Sequence, residues 1–260
     1  MNRKIQAQSL SGDWTGQNSR TFYLPPGFWR EPYRLEGTEA RHAARALRLR
    51  PGDEIRLLDG QGREGAFRIT AVGRQGVELE ALGVSLHARP ASRPILAAGW
   101  TKAARRGWIL EKAVEFEAAG IWLWQAQRSQ FPLPPDLGES WQGQLIAGAK
   151  QCRNPWLPEL RALPGGVREL IVAASGCERR LALLESDHCP TAALTPDLLG
   201  GPGDTVYAIG PEGGFTPDEA RELADAGFMG VTLGRRVLRW ETAAMLCLGL
   251  HWWSNEMRLC

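Results

Sequence analysis

The sequence predicts an α/β fold: a parallel sheet covered by helices, preceded along the chain by a small β-barrel-like module. Three observations carry this. After residue 92, short β-branched or apolar runs alternate about five times with stretches of helical period, the pattern of a parallel sheet with helices on both faces. Before residue 88, short alternating runs are separated by glycine turns, as in small β-barrels. Between them, His87-Ala-Arg-Pro-Ala-Ser-Arg-Pro94 reads as a linker.

Residues 1–19 are polar and aperiodic, and read as a disordered tail. Arg20 to Leu24 is a candidate first strand, ended by Pro25-Pro-Gly27. Thr38 to Leu49 reads as a short helix with Thr38 as N-cap and Ala40, Ala43, Ala44 and Leu47 as its apolar stripe. On that helix Arg41, Arg45 and Arg48 fall at i, i+4, i+7 and share one face. Such a row is a solvated face or a set of phosphate contacts, since arginine makes bidentate bonds to phosphate oxygens. Strands follow at 54–59, 64–72 and 77–82, the last strictly alternating.

In the second part, Ile95 to Gly99 is a strand and 103–119 an amphipathic helix. Ile121 to Gln125 is a strand and 140–151 a helix. Glu169 to Ala174 reads as a strand, with a helix near 179–184. Val206-Tyr-Ala-Ile209 is a buried strand broken by Gly210-Pro-Glu-Gly-Gly214. Three glycines in five residues admit positive φ and let a ligand approach the backbone. Thr216 then N-caps a helix, Pro217 suits its first position, and Glu219 completes a capping box; Gly227 stops it. Strand, glycine loop, helix is where open α/β sheets bind ligands. Val231 to Leu233 is the last strand and 241–253 the last helix.

Composition narrows the function classes. At 260 residues the chain holds two ordinary domains or one large one, with 43% apolar and 23% charged residues, normal for a globular protein. The net charge of +2 is too small to establish a nucleic-acid partner by itself. Residues 1–90 carry 14 Lys/Arg against 10 Asp/Glu and the rest 17 against 19, a mildly basic start and a mildly acidic remainder. Five cysteines form no C-x-x-C pair, so neither a disulfide framework nor a zinc site is expected, and no catalytic metal is implied. No signal pattern or transmembrane-length run occurs, so a cytoplasmic protein with no membrane partner is expected.

Two stretches carry a family resemblance. Ile209-Gly-Pro-Glu-Gly-Gly-Phe-Thr-Pro-Asp-Glu219 and Leu233-Gly-Arg-Arg-Val-Leu-Arg-Trp-Glu-Thr-Ala243 resemble the SPOUT class of S-adenosylmethionine-dependent RNA methyltransferases. The nearest pattern is that of the RsmE-type family, which methylates N3 of a uridine in 16S ribosomal RNA of the small subunit. Its I-G-P-E-G-G-[FL]-[ST]-x-x-E is matched in full, and its L-G-x-R-[VI]-L-R-T-E-T-A in all but one position. Glu111-Lys-Ala-Val-Glu115, Gln151-Cys-Arg-Asn154 with Pro158-Glu-Leu160, and Arg45-Ala-Leu-Arg48 with Gly52-Asp53 and Leu57 to Gly60 are similar to further, weaker family segments. The chain departs from the pattern at Trp240, which stands for Thr, and at Lys150, which stands for an acidic residue. One Gly is missing before Arg153, and Glu115 to Gly120 is longer than the family's E-L-G.

The resemblance implies a PUA-like RNA-binding domain at 20–88 and a SPOUT domain with a C-terminal trefoil knot at 92–260. It implies S-adenosylmethionine as cofactor, 16S rRNA or the small subunit as substrate, and a homodimer. Gly210, Gly213, Gly214, Leu233, Gly234, Val237, Leu238 and Thr242 are the expected cofactor contacts. Glu212, Arg239 and Asn154 are the catalytic candidates, and Arg41, Arg45, Arg48 and Arg153 the RNA contacts. Glu212 is the nearest plausible base, and Arg239 a stabiliser of charge on the uracil oxygens. The structural alternatives are that Glu212 ties down its loop and that Arg239 pairs with Glu241 or a phosphate. Two further functions fit the same residues: an RNA-binding or assembly protein that has lost turnover, and a methyltransferase acting on another RNA site.

Overall fold

The computed structural model describes residues 20–101, 106–184, 191–199 and 201–259; the polar tail predicted for residues 1–19 lies outside them. The chain divides into two compact units, one of residues 1–89 with 149–156, the other of 90–148 with 157–260.

The first unit is a five-stranded sheet in the order β1-β3-β4-β5-β2: β1 Arg20–Tyr23, β2 Tyr33–Leu35, β3 Glu54–Leu58, β4 Arg63–Gly73 and β5 Gly76–Leu86. All pairs are antiparallel except β1 with β3. Alternation puts Ile55, Leu57, Phe67, Ile69, Val77 and Leu79 on one face, where they bury Phe22 and Leu35. The long β4–β5 pair shifts register twice, between Ala66 and Phe67 and between Ile69 and Ala71, and such bulges add bend and twist to a pair.

The helix predicted over 38–49 is shorter and differently built. Helix α1 covers Gly37–Arg41 and is entered from Glu36 with no side-chain cap, so Thr38 is not its N-cap. His42–Ala46 winds on more widely, with the Leu47 N–H reaching back five residues to the His42 carbonyl at 3.0 Å. Arg48 has φ 53°, a left-handed conformation that ends the turn. Arg41, Arg45 and Arg48 therefore do not form a straight row on one helix face. Residues 149–156 belong to the same unit. Lys150 pairs with Glu39 at 2.7 Å, and the Trp156 ring lies so close over Gly62 that a Cβ there would collide with it.

The second unit is a seven-stranded, all-parallel sheet in the order β10-β12-β9-β11-β6-β7-β8. Its strands are β6 Ser92–Gly99, β7 Gly120–Trp124, β8 Glu159–Leu163, β9 Arg179–Leu183, β10 Ala192–Ala193, β11 Gly203–Ile209 and β12 Met229–Thr232. Helices α2 Arg106–Glu115, α3 Glu139–Cys152, α4 Gly166–Ala173, α5 Pro196–Leu199, α6 Pro217–Asp225 and α7 Trp240–Leu259 alternate with them. On β11, Val206 and Ala208 turn to a core containing Val167 and Leu170 of α4 and Leu223 of α6. Tyr207 turns the other way, to Leu199 of α5 and Cys247 of α7. Both faces are covered, as the near-continuous apolar runs require.

One pair of elements is the reverse of its expectation. Residues 169–174 are helical and 179–183 a strand. The short apolar run Leu170-Ile-Val-Ala suits either a buried strand or a helix face, and period alone does not separate them. The local chemistry decides. Gly166 takes φ 74°, the Glu169 carboxylate accepts the Gly165 N–H at 2.6 Å, and Val167, Leu170 and Ala174 bury one side while Val172 stays 72% exposed. On β9, Arg179 and Arg180 mask the alternation; the first binds Thr205 Oγ1 at 2.8 Å and the second the Ala226 carbonyl at 3.1 Å. Strand β8, a short Glu-Leu-Arg-Ala-Leu edge, is absent from the sequence reading.

Candidate functional site

The site forms where β9, β11 and β12 end. The loop after β11, residues 210–216, and the loop after β12, residues 233–239, together line one cavity of about 750 Å³. Sheet order explains the meeting: β9 lies between β11 and β12, so the two loops leave from strands separated by a single strand, at the same end. A cavity of this size falls in the range of small-molecule sites.

Each loop is built by local chemistry. Gly214 takes φ 69° and Gly234 φ 125°, conformations that other residues adopt only with strain. Among the described residues, nothing lies within 4 Å of where a Cβ would stand at either, so both backbones face space that a ligand can enter. The capping box at the start of α6 is formed as expected: the Glu219 N–H donates to Thr216 Oγ1 at 3.2 Å, and Thr216 N–H to Glu219 Oε2 at 2.9 Å. The other oxygen of the buried Glu219 carboxylate accepts the Gln127 N–H at 2.8 Å. From the same turn, Arg128 Nη1 donates to the carbonyls of Gly213 and Phe215, at 2.8 and 3.0 Å.

Of the residues expected at a cofactor site, Gly210, Gly213, Gly214, Leu233, Gly234, Val237 and Leu238 all line this cavity, as do Glu212 and Arg239. Val237 is 82% exposed, so it stands at the mouth rather than forming an inner wall. Thr242, one turn into α7, is not among the lining residues. Arg153 and Asn154 belong to the other unit with Arg41, Arg45 and Arg48. There Asn154 Oδ1 accepts the Trp156 N–H at 2.9 Å, and Arg153 takes φ 61°.

The lining is mixed in charge. Arg128, Arg235, Arg236 and Arg239 face Glu212 and Glu241 around it. No group of three or more potential metal ligands occurs among the described residues, and no helix there is long and apolar enough to cross a membrane. Behind the site, burial pushes the Cys247 thiol and the Tyr207 phenol up, so both stay protonated. Tyr207 instead shares a hydrogen bond of 2.8 Å with His251 Nδ1, whose Nε2 meets Ser92 Oγ at 2.9 Å, joining α7 to β11 and β6.

A family model described as an RNA methyltransferase domain matches residues 89–252, and one described as an RNA methyltransferase PUA domain matches residues 35–82. The chain is 30% identical over 226 residues to ribosomal RNA small subunit methyltransferase E of Mycobacterium tuberculosis, covering 83% of this chain and 84% of that one. The chain belongs to this RNA methyltransferase family. Its fold matches the Neisseria gonorrhoeae ribosomal RNA small subunit methyltransferase E, solved bound to S-adenosyl methionine, with a TM-score of 0.75 and 27% identity over 89% of this chain and 95% of that one. A Legionella pneumophila protein solved with the same cofactor superposes with a TM-score of 0.78 at 26% identity, over 91% and 98% of the two chains.

Within the methyltransferase family, two of this chain's departures from the pattern find a place in the structure. Lys150 is held by Glu39 within one unit. Trp240 lines the cavity from the first residue of α7 and is 6% exposed, and its buried Nε1–H has no hydrogen-bond partner among the described residues. Sequence reasoning missed Arg128 as part of the site. Its bond to Gly213 spans 85 residues, and no local signal marks it.

Proposed function

We propose that this chain transfers a methyl group from S-adenosylmethionine to N3 of a specific uridine in 16S ribosomal RNA of the small subunit. The observation that carries the reading is the cavity shared by the two glycine loops, in a chain of an RNA methyltransferase family. The cofactor fits the residues present: open backbone at Gly214 and Gly234 offers hydrogen-bonding edges, and Leu233 and Leu238 offer apolar wall. When bound, it supplies a methyl group on a positively charged sulfur, ready for transfer to a nucleophile.

The protein's share of the chemistry is binding, orientation and one proton. Backbone at Gly210, Gly213, Gly214, Leu233, Gly234 and Leu238, with Val237 and Thr242 beside it, holds the cofactor. Uridine N3 carries a proton that must leave before the nitrogen attacks, and Glu212 on the cavity lining takes it. Arg239 on the same lining stabilises charge developing on the uracil oxygens. Asn154 orients the acceptor base, while Arg41, Arg45, Arg48 and Arg153 bind RNA phosphates, so residues 20–88 serve as the RNA-binding domain and 92–260 as the methyltransferase domain. RNA of this kind is gripped by shape and phosphates with the target base exposed.

The reading extends to assembly. Leu246, Trp253 and Met257 recur on α7 at i, i+7, i+11 and are 37–52% exposed, an apolar stripe suited to the two-fold contact of a homodimer. The stretch from β9 to α7 is taken as a trefoil knot. The free thiols of Cys177 and Cys247 suit the cytoplasm, where ribosomal RNA is modified.

Titration with S-adenosylmethionine and S-adenosylhomocysteine tests the site, with one ligand expected per chain. Glu212→Gln is expected to keep that affinity and to lose about 10²–10⁴-fold in turnover. Full turnover in this variant would assign proton removal elsewhere. Trp240 favours a second reading, a binding protein without turnover; tight RNA binding with no cofactor affinity would select it.

A further inference from the structure

We infer that Arg128 is a positioning residue for the cofactor loop, a role that rests on the reading of the cavity as the S-adenosylmethionine site. The turn after β7 is tied at both ends. Ala126 is buried, its N–H donates to Ser129 Oγ at 3.1 Å, and the Ser129 N–H returns to the Ala126 carbonyl at 3.1 Å. The Gln127 N–H is fixed to buried Glu219. The turn is therefore rigid and anchored to the start of α6, and it presents Arg128 to the glycine loop.

There one guanidinium nitrogen takes two carbonyls, those of Gly213 and Phe215. These flank Gly214, the residue at φ 69°. Two carbonyls converging on one point repel each other unless a donor sits between them, and a charged donor is the strongest choice. Arg128 thereby selects the left-handed state of Gly214 among the many that three glycines in five residues allow. The approach also favours a glycine at 213, where a Cβ would stand 3.3 Å from the Arg128 side chain, tighter than an ordinary contact.

The consequence is preorganisation. Without Arg128 the loop samples more conformers, and a ligand that needs one of them must order it on binding. The side chain is exposed, so the ligand-free fold has little to lose.

The test compares wild type, Arg128→Ala and Arg128→Lys in three readouts: cofactor affinity by calorimetry, ligand-free melting temperature, and the KM values for cofactor and RNA. Arg128→Ala is expected to bind S-adenosylmethionine about tenfold more weakly, the cost of ordering roughly one residue's backbone. Its melting temperature should stay within about 2 °C of wild type. KM should rise for the cofactor and not for RNA. Lysine, whose ammonium can donate to both carbonyls, should restore affinity to within about threefold. Unchanged affinity in Arg128→Ala overturns the inference. So does a melting temperature lowered by more than about 5 °C with no rescue by lysine, which marks a general structural role. A wild-type protein that binds no S-adenosylmethionine refutes the cofactor reading itself, and the inference falls with it.

Discussion

Trp240 departs from the family pattern without closing the cavity. An indole fills far more volume than the threonine of the pattern, yet the cavity remains about 750 Å³ with Trp240 as part of its lining. With no partner among the described residues, its buried indole N–H costs about 1–3 kcal/mol. Two substitutions separate ring from donor. Trp240→Phe keeps most of the packing and removes the orphan N–H, and is expected to melt no lower than wild type. Trp240→Thr leaves a void at a buried position and should cost about 3 kcal/mol, in the range of large-to-small core replacements. Thermal unfolding of both, with cofactor titration of both, reads the result; a lower melting point for phenylalanine than for threonine would reject this account.

At the scale of elements, the start of α6 joins the site to the sheet. Glu219 is 1% exposed and its two oxygens satisfy the N–H groups of Thr216 and Gln127. Glu219→Ala is expected to destabilise by about 2–3 kcal/mol, since it strands two backbone donors that had a charged acceptor. Thr216→Ala, which removes only the local cap, should cost about 1 kcal/mol. Urea unfolding of the pair checks the order, and equal costs would mean that the bond to Gln127 contributes nothing. The same element shows what was legible in the sequence. Its cap, proline and glycine stop are all local signals, and the structure has each of them. Residues 166–183 were ambiguous in period: an apolar run of helix or strand length, and two arginines on a strand, inverted an assignment that the Gly165–Glu169 bond and the one-sided burial of the helix decide. The basic row at 41, 45 and 48 failed for a related reason, because helix period was extrapolated past the point where the backbone widens and then turns left-handed.

At the scale of the molecule, the cavity-lining loops were legible because both motifs are contiguous, whereas the latch from Arg128 joins segments 85 residues apart and leaves no local trace. The buried titratable groups of the parallel sheet set an alkaline limit. Burial, followed by the nearby Asp204 and Glu178 carboxylates, pushes the Cys177 thiol up to about 11 from the ordinary 9.0. A raised value means the folded state holds its proton after the unfolded chain has released it. Stability from this group is therefore full below about pH 9 and is lost as pH rises toward 11. Cys247 and Tyr207 add to the loss in the same direction. Urea midpoints measured from pH 8 to 11 should fall, and Cys177→Ala should fall less steeply. An identical slope in the variant would remove Cys177 from the account.

Small ribosomal subunits lacking the modification, incubated with the protein and labelled S-adenosylmethionine, with naked rRNA in parallel, should yield labelled N3-methyluridine at one position on nucleoside analysis. Label in another nucleoside would contradict the proposed acceptor atom, and no label from a protein shown to bind the cofactor would contradict its assignment to 16S rRNA.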